Sequence, residues 1–180
     1  CGTIIINSGT VTATGNDGGS GIGGGRNYGG TTGGGGTVII NGGTVTANGQ
    51  NLGSDIGSGQ DKTTTGICII LGGTVTATNG KFGTNAGIKV NEDGTLEVYG
   101  DLTLPADITI PEGKTLIIPE GATLTVPEGI TLTNNGTIIN NNGFTNNGTV
   151  INNGTFINNG NLVETNHNYT NGFCICGEYE

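Results

Sequence analysis

Apolar residues alternate with polar ones over short runs along this chain, and nowhere do they recur at helical spacing over a useful length. The clearest run is Gly43-Thr44-Val45-Thr46-Ala47. It returns almost unchanged as Gly9-Thr10-Val11-Thr12-Ala13 and Gly73-Thr74-Val75-Thr76-Ala77, and in weaker form as Gly94-Thr95-Leu96-Glu97-Val98. Period two predicts strands with Val and Ala facing inward and Thr outward. One such strand cannot bury its inward face alone, whereas copies stacked in register bury one another's.

Aligned rungs start at Gly2, Gly36, Gly66 and Gly87, each unit being shorter than the one before. The strand part stays fixed while the loop varies. The alternation predicts four inward columns: Ile4/Val38/Cys68/Ile88, Ile6/Ile40/Ile70/Val90, Val11/Val45/Val75/Leu96 and Ala13/Ala47/Ala77/Val98. A shorter third face carries Ile22 and Ile56. Each fully buried Ile, Val or Leu contributes about 1.5–3 kcal/mol, enough in aggregate to offset much of the backbone entropy.

From Leu102 the period becomes eight, with corners at Pro111-Glu112-Gly113, Pro119-Glu120-Gly121 and Pro127-Glu128-Gly129. Proline fixes φ and glycine tolerates positive φ, so each triplet turns the chain between faces. Three eights make a coil of about 24 residues, which puts the three glutamates on different corners. From Asn134 the motif tightens to Asn-Asn-Gly-Thr, and stacked Asn amides are expected to hydrogen-bond from coil to coil.

These periods share one inward/outward logic and predict an all-β fold, a single-stranded parallel β-helix (β-solenoid) tapering towards the C-terminus. Right-handed winding follows the general handedness of parallel crossovers, and about seven coils are expected at roughly 4.8 Å each. The expected solenoid spans residues 1–163, divided at 1–99, 100–133 and 134–163 by repeat type. Residues 164–180 read as an irregular, Cys-containing tail.

Composition supports this class: the chain has 180 residues, 39 of them Gly, with no Met or Trp, and is 32% hydrophobic. That is unlike an ordinary globular enzyme and suits short strands joined by tight turns. The net charge of −9 lies mostly in the second half, which disfavours nucleic acid. No apolar run approaches the length of a membrane span, so no membrane insertion is expected. The chain starts at Cys1 inside a repeat, as expected of a processed chain or a piece of a longer one.

Gly-Thr-Val-Thr-Ala followed by Ser20-Gly21-Ile22-Gly23-Gly24-Gly25, the Ile-Pro-Glu-Gly series and the Asn-Asn-Gly-Thr series together resemble the repeat regions of large secreted or wall-attached proteins of anaerobic, mostly Gram-positive, gut-type bacteria. The tail His167-Asn168-Tyr169-Thr170-Asn171-Gly172-Phe173-Cys174-Ile175-Cys176-Gly177 is similar to a short His/Cys element in such proteins, with one residue fewer between the cysteines. The resemblance spans nearly the whole chain and implies an extracellular or cell-wall location.

Some parallel β-helices are enzymes, but these use clustered carboxylates with a metal, or a basic residue, on one groove face. Here Arg26 is the only Arg and His167 the only His, so neither catalysis nor a cofactor is expected. The Gly-rich loops 23–35 and 57–65 leave consecutive coils at equivalent points. Arg26, Asn27, Tyr28, Gln60, Asp61 and Lys62 there form a polar set with one aromatic, suited to a polysaccharide or a cell-surface glycan; a plain surface loop is the competing reading. Outward columns Thr10/Thr44/Thr74/Thr95, Thr12/Thr46/Thr76/Glu97 and Thr14/Asn48/Thr78/Tyr99 are expected, and their Thr array resembles an ice-binding face, though Thr is also a good exposed strand residue.

Ile5, Ile39 and Ile69 are expected to stack outward, either covered by the Gly-rich loops or available for a lateral contact. Cys68 falls in an inward column and reads as a small buried hydrophobe. Cys1 lies at one extremity and Cys174 and Cys176 at the other, suggesting end-to-end self-association locked by a disulfide. His167 with Cys174 and Cys176 is an incomplete zinc set, which leaves metal binding open. The functional expectation is a non-catalytic structural or adhesive β-solenoid, with a carbohydrate-binding module as the alternative.

Overall fold

The computed structural model describes residues 2–26, 35–59, 66–80 and 82–165. All regular structure in them is β, in short parallel strands stacked in register, the arrangement of a β-solenoid-like fold. The chain divides into two compact units, Cys1–Ile88 and Lys89–Glu180. The break falls at the fourth rung, ahead of the change of period at residue 100.

In the first unit each coil lays one strand on each of three faces. The first face holds β1 (Thr3–Ile6), β4 (Gly36–Ile40), β7 (Gly66–Ile70) and β10 (Ala86–Val90). The second holds β2 (Thr10–Thr14), β5 (Thr44–Asn48) and β8 (Thr74–Ala77). The third is made of two-residue strands, β3 (Ile22–Gly23), β6 (Ile56–Gly57) and β9 (Phe82–Gly83).

The first three rungs keep the expected register, Ile4 with Val38 and then Cys68, Ile6 with Ile40 and then Ile70. Val11, Val45 and Val75 align on the second face, as do Ala13, Ala47 and Ala77. Ile22, Val38, Ile40, Val45, Ala47, Ile56, Cys68 and Ile70 form one core cluster. The third face gains a member that the alternation did not reveal, Phe82 beside Ile56. Its backbone demands glycine: Gly57 has φ +118°, and a Cβ there would lie 2.5 Å from Gly83 O.

The fourth rung departs from expectation by one residue. Ile88 pairs with Ile69, and Gly87 takes the place beside Cys68. A one-residue slip moves every side chain to the opposite face. Ile88 is therefore buried in the column of Ile39 and Ile69, while Lys89 and Val90 are exposed. A tight turn follows, in which Asn91 N donates to Thr95 O at 2.8 Å and Gly94 N to Asn91 O at 2.9 Å. Leu96 and Val98 consequently do not extend the Val75 and Ala77 columns, and Leu96 pairs instead with Leu116.

The second unit also has three faces. One holds β11 (Leu96–Tyr99), β14 (Thr115–Ile118), β17 (Thr137–Asn140) and β20 (Thr155–Asn158). The next holds β12 (Asp101–Thr103), β15 (Thr123–Val126), β18 (Gly143–Asn146) and β21 (Asn161–Glu164). The last holds β13 (Ile108–Ile110), β16 (Thr131–Asn134) and β19 (Thr149–Asn152). Inward columns such as Leu102/Leu124/Phe144/Leu162 run through it. Phe144 meets Phe156 edge to face, ring centroids 5.3 Å apart.

The expected 24-residue coil occurs where Asp107 bonds Thr131. Coil spacing rises to this value from 20 between Leu96 and Leu116, then falls to 20 between Ala122 and Asn142 and to 18 between Asn134 and Asn152, so the taper holds from Asp107 onward. The three Pro-Glu-Gly corners form as expected. Each closes with a backbone bond to the proline carbonyl, Lys114 N to Pro111 O, Ala122 N to Pro119 O and Ile130 N to Pro127 O.

Candidate functional site

The two Gly-rich loops are rooted on the third face, where the short strands stack without side-chain bulk. Gly24 N donates to Gly57 O at 2.8 Å, and Gly59 rests so closely on Gly25 that a Cβ on Gly59 would collide with Gly25 O. Both loops therefore leave from directly superposed points. At the first root Arg26 Nη1 holds Asp17 Oδ1 at 3.0 Å. Asn27, Tyr28, Gln60, Asp61 and Lys62 lie outside the described residues, as do Cys1, His167, Cys174 and Cys176.

Of the two expectations for the Ile5/Ile39/Ile69 stripe, cover holds for Ile39 and Ile69, and the lateral contact needs correction. Ile5 is 54% exposed, but Ile39 and Ile69 are 3% and 0% exposed. The open apolar surface on that side reduces to Ile5, so Ile39 and Ile69 are unavailable for a lateral contact. A different outward column, which the sequence reading missed, lies in the second unit. Ile117, Ile139 and Ile157 stack in register beside Thr115, Thr137 and Thr155. The signal was present in Thr-Leu-Ile-Ile, Thr-Ile-Ile-Asn and Thr-Phe-Ile-Asn, where the third residue faces away from the core.

The threonine columns of the first unit are in register as expected, Thr10/Thr44/Thr74 and Thr12/Thr46/Thr76. They end at β8, because Thr95 and Glu97 belong to the second unit's own columns.

Two sets of buried polar groups join coil to coil. Asp55 is fully buried, and its carboxylate accepts from Gly49 N at 2.8 Å, Asn79 N at 2.8 Å and Asn79 Nδ2 at 2.9 Å. Ser54-Asp55-Ile56-Gly57 repeats Ser20-Gly21-Ile22-Gly23 with a carboxylate in place of a glycine, a signal the sequence reading did not use. The second set is the asparagine ladder. Buried Asn134 and Asn140 donate from Nδ2 to Asn152 and Asn158 Oδ1, both at 2.7 Å, and Asn146 donates to Glu164 Oε1 at 3.0 Å.

An exposed ladder runs beside this one with the opposite sense. Asn153 Nδ2 donates back to Asn135 Oδ1 and Asn159 Nδ2 to Asn141 Oδ1, both at 2.9 Å. Sequence reasoning anticipated stacked amides but not two ladders of opposite sense, although alternation from Leu132, Ile138 and Phe144 already turns the first Asn of each pair inward, a signal it did not use. At the third corner a carboxylate and a hydroxyl take the same places, Asn146 donating to Glu164 and Thr165 Oγ1 donating back to Asn147 Oδ1 at 3.1 Å.

Titratable groups are shifted at two places. Hydrogen bonds from Thr95 hold the Asp93 carboxyl below its ordinary range, and Lys89, with Asn91, does the same for Glu97. Burial pushes the Cys68 thiol up to about 12, which fits a packing role. Among the described residues no three His, Cys, Asp or Glu side chains gather as a metal-binding group, and no helix is long and apolar enough to cross a membrane. No family model, curated protein or solved structure matches this chain.

Proposed function

We propose that the chain is a non-catalytic structural or adhesive β-solenoid of an extracellular or cell-wall protein, wound right-handedly in about seven coils. The observation that carries this reading is the double asparagine ladder. Polar side chains at successive corners are committed to coil-to-coil bonds, as a stiff repetitive spacer requires. Self-association belongs to the same reading. Cys1, Cys174 and Cys176 supply thiols, and the Ile117/Ile139/Ile157 column of the second unit supplies lateral apolar surface.

Light scattering and negative-stain microscopy of the purified chain, with and without reductant, test it. Regular filaments that shorten on reduction support assembly through the terminal cysteines. A monomer under both conditions removes self-association from the proposal.

The superposed loop roots favour one second reading, a carbohydrate-binding module in which Arg26, Asn27, Tyr28, Gln60, Asp61 and Lys62 contact a polysaccharide or a cell-surface glycan. Tyr28→Ala then abolishes retention on a glycan array and leaves assembly unchanged.

A further inference from the structure

Asparagine followed by glycine is the sequence most open to succinimide formation, since no side chain shields the next backbone nitrogen. Nine asparagines are followed by glycine; Asn171 lies outside the described residues and the glycine after Asn142 opens β18, which leaves Asn41, Asn48, Asn79, Asn135, Asn147, Asn153 and Asn159 to compare. The nucleophile in this reaction is the glycine N–H, so its hydrogen bonding sets the rate.

The structure divides these sites. Gly49 N is held by buried Asp55 Oδ1 at 2.8 Å, and Gly80 N by Ala77 O at 3.0 Å. Gly136 N and Gly148 N are each held at 3.1 Å, by Asn134 Oδ1 and Asn146 Oδ1. One coil further on no such bond forms. Asn152 Oδ1 and Asn158 Oδ1 accept instead from Asn134 Nδ2 and Asn140 Nδ2. Among the described residues nothing accepts from Gly154 N, Gly160 N or Gly42 N. Asn153, Asn159 and Asn41 are exposed at turns, with water at hand.

We propose that Asn153, Asn159 and Asn41 are sites of spontaneous deamidation, while Asn48, Asn79, Asn135 and Asn147 are protected by the hydrogen bond on the following glycine. Hydroxide takes the proton from Gly154 N, and the nitrogen bonds to Asn153 Cγ. The Cγ–Nδ2 bond breaks, and ammonia leaves. Water then opens the cyclic imide at either carbonyl, giving aspartate or isoaspartate. Asn153 thereby loses the donor that it presents to Asn135 Oδ1, placing an anion against a carbonyl oxygen and loosening the outer ladder at its last rung.

The test is incubation of the folded chain in mildly alkaline buffer, with site-by-site peptide mass mapping of the gain that replaces an amide NH2 by OH. A parallel sample is held unfolded in urea. The expected result is conversion at Asn41, Asn153 and Asn159 roughly fivefold or more faster than at the four protected sites in the folded sample, the factor of about one net hydrogen bond, with the seven rates converging in urea. Equal rates in the folded chain, or the same ranking with and without urea, overturns the proposal.

Discussion

Asn140 donates through Nδ2 to Asn158 Oδ1 at 2.7 Å, one 18-residue coil away. The same amide also donates to Asn161 O at 3.0 Å, and its oxygen accepts from Asn142 N at 3.2 Å. Asn140 is fully buried, and these bonds are what make that burial tolerable. Asn140→Ala strands three partners at once and is expected to destabilise the chain by about 2–3 kcal/mol. The exposed Asn141→Ala is expected to cost under about 1 kcal/mol. Urea denaturation midpoints at constant slope measure both.

Asp55 makes the corresponding join between the second and third coils. Asp55→Ala leaves Gly49 N and Asn79 N without their acceptor, while Asn79 Nδ2 keeps Asn48 Oδ1 and Gly49 O, at an expected cost of about 2–3 kcal/mol. Faster amide exchange at Gly49 and Asn79, seen by NMR, locates the damage; unchanged exchange there would contradict the assigned role.

Two glycines separate conformational strain from crowding. Gly113 has φ +76° with open space where a Cβ would stand, so Gly113→Ala carries backbone strain alone, about 1–2 kcal/mol. Gly57→Ala adds a collision with the Gly83 backbone and is expected to lower the melting temperature distinctly further. Thermal scans of the two variants side by side make the comparison.

Asp93 and Glu97 both have folded-state pKa values below their ordinary range. The stability they add at the Asn91–Thr95 turn is therefore fully present above the ordinary carboxylate pKa and is lost as pH falls through the folded values. Glu97→Gln should flatten this acid limb and release Lys89 from its 2.8 Å ion pair. An NMR titration of the Glu97 carboxyl carbon checks the direction, with a midpoint at or above the ordinary value counting against it.

The Cys68 thiol, buried and shifted to about 12, should resist maleimide at neutral pH in the folded chain and react once the chain unfolds in urea. Peptide mapping of the labelled chain distinguishes it from the other cysteines. Labelling of Cys68 under native conditions would show that its column opens.

By itself the sequence determined the strand alternation, the columns of the first three rungs, the Pro-Glu-Gly corners and the stacking of asparagine amides. Each is a local consequence of side-chain period or turn chemistry repeated along the chain. Tertiary structure decided the fourth rung. Alternation alone favours the register with Ile88 beside Cys68, but that register places Lys89 beside fully buried Ile69. Burying an ammonium there is costly, so the rung slips by one, Ile88 fills the column and Lys89 stays in solvent beside Glu97. The burial of Ile39 and Ile69 and the acceptors around Asp55 are of the same kind. Each depends on what covers a face or stands one coil away, and no residue's own neighbours in sequence carry that information.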